Sequence, residues 1–66
     1  MKREIVTESE KRMKALKSEL ILKRIPYRLR SKTCLIGKFY TFGFFDEYAQ
    51  ESIKLWEKVC ISIPEG

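Results

Sequence analysis

The spacing of apolar residues changes twice along this chain. Val6, Ser9, Met13, Leu16 and Leu20 recur at steps of three and four, which lays one narrow apolar stripe along a helix. Between Pro26 and Phe45 the period falls toward two, and aromatic, β-branched and cationic residues are interleaved with turn formers, as in strands. From Ala49 the longer period returns. Ala49, Ile53, Trp56 and Cys60 fall at steps of four, three and four, and Tyr48, Leu55 and Val59 widen the stripe into a face broad enough to lie across a sheet. The order predicted is helix, strands, helix: a small two-layer α+β domain.

Local signals set the expected boundaries. Thr7-Glu8-Ser9-Glu10 reads as a capping box that opens the first helix. Pro26 marks its outer limit, since proline cannot donate to a helix ladder and pushes Ile25 out of the helical region. Along that helix Glu8 with Arg12, Glu10 with Lys14 and Glu19 with Lys23 stand four apart in the favourable acid-first order. Ser31-Lys32 and Gly37-Lys38 each have the length of a two-residue hairpin loop, and Gly37 can supply the positive φ that such loops use. Together they predict a three-stranded antiparallel meander of 26–30, 33–36 and 39–44. Asp46 caps a second helix over 47–59, and Cys60-Ile61-Ser62-Ile63 alternates before Pro64 as a short C-terminal strand.

Because strand side chains alternate, this register assigns the faces. Tyr27, Leu29, Cys34, Ile36 and Phe39 form the expected core face, on which the Trp56 stripe packs. Arg28, Arg30, Leu35, Tyr40, Phe42 and Phe44 form the other, cationic at one end and aromatic at the other. A slip of one residue would exchange the two sets.

Sixty-six residues allow one domain with a thin core and no deep catalytic cleft. The chain has no histidine and two cysteines, Cys34 and Cys60, far apart and with apolar neighbours; two thiols do not assemble a zinc site, and both read as buried and free. No metal or other cofactor is expected. A general base would have to be a carboxylate, lysine or thiol with no pocket to shift its pKa, so an enzyme is not expected. No apolar run approaches the length of a membrane span, and without a signal peptide in view the expected location is cytoplasmic and reducing.

Charge changes the picture most. Residues 1–38 hold twelve Lys and Arg against four Glu, +8, and residues 39–66 hold two Lys against five Asp and Glu, −3, which together give the net +5. One half can attract a polyanion. Its candidate contact residues are Arg24, Arg28, Arg30, Lys32 and Lys38, among which Arg28, Arg30 and Lys32 alternate and so project on one side of a strand, a known way to track phosphates. Tyr40 joins them as an aromatic on the same predicted face that could stack a base. The meander followed by a helix, with Gly43-Phe44-Phe45-Asp46 leading into it, is similar in outline to the β-sheet DNA-binding domains of a plant transcription-factor family (the Apetala type) and to integrase arm-binding domains. That resemblance covers about half of the chain and implies a DNA partner; the alanine such domains carry eight residues after the glycine is Glu51 here. The expected function is therefore non-enzymatic binding of DNA or RNA through a basic sheet face. The alternative is a small regulatory or inhibitory protein that covers another protein.

Overall fold

The computed structural model describes residues 3–64. Its elements in chain order are β1 (Arg3–Thr7), α1 (Glu10–Leu22), β2 (Arg28–Cys34), β3 (Gly37–Phe44) and α2 (Asp46–Ser62). Three antiparallel strands and two helices make the expected α+β class, but the strands are not consecutive. The sheet order is β1-β3-β2, with β1 pairing from Arg3↔Phe44 to Thr7↔Tyr40. A segment with no strong pattern of its own thus supplies the third strand, because β3 would otherwise be an edge with Ile5 and Thr7 left in water; in place, they are 8% and 5% exposed.

The hairpin also departs from the expected register. Neither expected turn forms: Ser31 and Lys32 pair with Tyr40 and Phe39, Lys38 pairs with Thr33, and the reversal falls at Leu35-Ile36, between the paired Cys34 and Gly37. Gly37 absorbs it with a φ of +144°, which an L side chain adopts only under strain. Burial explains the choice. This pairing puts Tyr40, Phe42 and Phe44 on one face beside Ile5 and Leu29, and all three aromatics are buried. The face assignment above is corrected accordingly: Phe42, Phe44 and Tyr40 lie inward, Phe39 lies on the opposite face, and Leu35, Ile36 and Cys34 are exposed at the hairpin end.

Both helices cover the inward face. Leu16 and Leu20 of α1 and Leu55 and Val59 of α2 join Ile5, Ile25, Phe42 and Phe44 in one core. Tyr27 and Phe44 flank Phe42 at centroid distances of 5.7 and 6.3 Å, geometries that add to plain area burial. The α2 stripe is turned by about one residue from the expected one: Ala49, Ser52, Leu55 and Val59 are buried, Ile53 is exposed, and Trp56 is half-buried at the margin. Val6, read as part of the first helical stripe, belongs to β1 and points away from the helices.

The helix ends carry further corrections. Ser9, not Thr7, caps α1, its hydroxyl accepting from the Arg12 amide at 3.2 Å, while the Thr7 hydroxyl accepts from the Ser9 amide at 3.1 Å. Phe45 is the N-cap residue of α2 without a side-chain bond, and Asp46 is already helical, where its carboxylate suits the positive end of the helix. At the other end α2 continues through Ser62, so Cys60-Ile61-Ser62 is helix and not strand. Arg12 explains part of that extension: its Nε donates to the Ile63 carbonyl at 2.7 Å and Nη2 to the Cys60 carbonyl at 3.5 Å, supplying cationic donors to carbonyls that no helical amide reaches. Glu10 pairs with Lys14 as expected, whereas Glu19 meets Lys58 of α2 at 3.7 Å. After Leu22 the chain reverses at Arg24, whose φ is +56°. The amides of Arg24 and Ile25 donate to the carbonyls of Ile21 and Leu20, and buried Ile25 closes on buried Leu20; this is the Schellman arrangement with arginine where glycine is usual.

Candidate nucleic-acid interface

With both helices on the Phe42 side, the other face of the sheet has no covering layer. The pairings place its residues in rows across three strands: Val6, Thr41 and Arg30 in one, Glu4, Gly43 and Arg28 in the next, and Phe39 with Lys32 toward the hairpin. Arg28, Arg30 and Lys32 are exposed, and among the described residues none of them makes an ion pair. Consecutive members of the row are two strand residues, about 6.8 Å, apart. Three cations held in line by a backbone ladder need no ordering of the chain to meet a row of phosphates.

The six residues singled out from sequence do not form one cluster. Arg28, Arg30 and Lys32 share the open face. Lys38 pairs opposite Thr33 on the same side as Tyr40, and its ammonium stands 5.4 Å from the Tyr40 ring centroid. Tyr40 is 8% exposed on the helix-covered face, so it cannot stack a base on the open one; the slipped register is the reason for that error. Arg24 is exposed in the reversal between α1 and β2, outside the sheet rows. The aromatic on the open face is Phe39, half-buried beside Lys32.

Sequence reasoning also missed residues that only the β1 pairing delivers. Glu4 lands beside Gly43, and Val6, 58% exposed, beside Thr41. At the Gly43 end a concavity of about 480 Å³ is lined by Glu4, Tyr27, Arg28, Arg30, Gly43 and Phe45 among others. Its only local signal was a glycine inside a strand pattern, which marks a bulge or a close approach. Among the described residues no group of three or more acids and cysteines could hold a metal ion, and no helix is long and apolar enough to cross a membrane. No family model, no curated protein and no solved structure matches this chain.

Proposed function

We propose that this protein binds DNA or RNA through the open face of its sheet, with Arg28, Arg30 and Lys32 as the phosphate contacts and no catalytic step. The observation that carries the reading is the alignment of three exposed cations, without ion-pair partners among the described residues, on a sheet face that neither helix covers. A cationic row of this kind draws its affinity from release of the counterions around a polyanion. The excess positive charge of residues 1–38 adds long-range attraction, which raises the rate of encounter.

The test is fluorescence anisotropy with labelled single-stranded and duplex oligonucleotides over a salt series. Three phosphate contacts predict a log–log slope of roughly −2 to −3, and Arg28→Ala and Arg30→Ala should each flatten it by roughly 0.7 to 0.9. Absence of binding at low salt, or a slope that the double substitution leaves alone, would overturn the reading. A second reading, that the protein acts by covering a protein partner, is favoured by one observation, the hairpin tip at which Leu35 and Ile36 are 107% and 85% exposed. Such an interface would respond weakly to salt and would be abolished by polar residues at the tip, which should leave oligonucleotide binding intact.

A further inference from the structure

Gly43 is the residue of the open face whose identity the fold does not explain. It lies in the interior of the central strand, where glycine costs backbone entropy and offers nothing to pack. Its φ is not positive, and a Cβ built on it would meet nothing closer than Arg28 Cβ and O at 3.9 Å, an ordinary contact. Neither turn geometry nor close packing within the chain requires glycine here, so the space above it is available to something outside the chain.

What flanks that space defines its occupant. Glu4 stands on one side and Arg28 on the other, their Cα atoms two strand spacings, about 9.5 Å, apart. Arg30, Tyr27 and the 58% exposed Phe45 complete the concavity. A phosphate inside the concavity would be repelled by Glu4, but Arg28 carries five N–H donors, enough to hold a backbone phosphate outside it and still donate to a group within. A group that donates hydrogen bonds at one edge and accepts them at the other suits both, and a flat one can lie over Gly43 beside the exposed Phe45. Among the bases, guanine has this layout: N1–H and the N2 amino group present two donors to a carboxylate, and O6 and N7 present two acceptors to a guanidinium. In a duplex the N1 and N2 edge is already paired, so the base must be unpaired.

We infer that the Gly43 concavity binds an unpaired guanine of single-stranded nucleic acid, Glu4 accepting from N1 and N2 and Arg28 donating to O6 and N7. This rests on the nucleic-acid reading above and specifies its ligand. The experiment compares two labelled single-stranded oligonucleotides, identical except that one guanine is replaced by adenine, on the wild type, Gly43→Val and Glu4→Gln. The guanine strand should bind about 5- to 150-fold more tightly to the wild type. Gly43→Val should melt at a higher temperature yet lose the preference, and Glu4→Gln should lose it while binding the adenine strand at least as well, since a negative charge has gone. Equal binding of the two strands by the wild type, or a preference that survives both substitutions, overturns the guanine site while the phosphate reading stands. No binding of either strand at low salt overturns both.

Discussion

Phe42 lies buried beneath the helices, whereas Phe39 lies on the opposite face of β3, across the strand pair from Lys32. The assignment can be tested by truncating each ring. Phe42 is fully buried, paired between Ile5 and Leu29 and flanked by the rings of Tyr27 and Phe44. Removing such a ring loses its transfer free energy and leaves a cavity, about 3 to 5 kcal/mol in all. A domain of 66 residues has a total stability of about 3 to 10 kcal/mol, so Phe42→Ala should unfold it or lower its melting temperature by at least about 12 °C, at roughly 4 to 8 °C per kcal/mol. Phe39→Ala removes a half-buried ring that stands opposite Lys32 in the strand pair on the uncovered face, a loss of under about 1 kcal/mol. Thermal melts followed by circular dichroism report both. A Phe42→Ala variant melting near the wild type, or a Phe39→Ala variant that unfolds, would refute the register and with it the open face.

Two further outcomes probe the helix ends. Arg12→Ala should cost about 2 kcal/mol, since a charge-assisted hydrogen bond contributes about 1.5 to 3 kcal/mol and the guanidinium also stands 5.9 Å from the Trp56 ring centroid; hydrogen exchange should show the last turn of α2 opening first, and a global stability within about 0.5 kcal/mol of the wild type would mean the contacts are incidental. Arg24→Gly relieves a left-handed arginine that costs about 1 to 2 kcal/mol, offset in part by the entropy of glycine in the unfolded chain, so denaturant melts should show a gain of roughly 0.5 to 1 kcal/mol; a loss would assign the Arg24 side chain a stabilising contact.

Much of this protein follows from local chemistry. The two helices, the strand character of residues 28–44 and the projection of Arg28, Arg30 and Lys32 to one side depend only on side-chain period and backbone propensity, which neighbours in sequence determine. Pro26 and the Ser9 region bounded α1 within a few residues for the same reason. What tertiary structure decided is every relation between segments. A period of two does not specify register, and Ser31-Lys32 and Gly37-Lys38 had the local marks of turns; burial of Tyr40, Phe42 and Phe44 under the helices instead set the reversal at Leu35-Ile36 and so exchanged the faces of β3. Arg3–Thr7 carries too weak an alternation to announce a strand and becomes one because β3 offers it a ladder and a core edge. Arg12 has an acid-first partner four residues away in Glu8, yet its guanidinium reaches the Ile63 carbonyl, 51 positions along the chain. The Gly43 concavity belongs wholly to this second kind: Glu4 and Arg28 are 24 residues apart in sequence, and only the central position of β3 sets them on either side of one glycine.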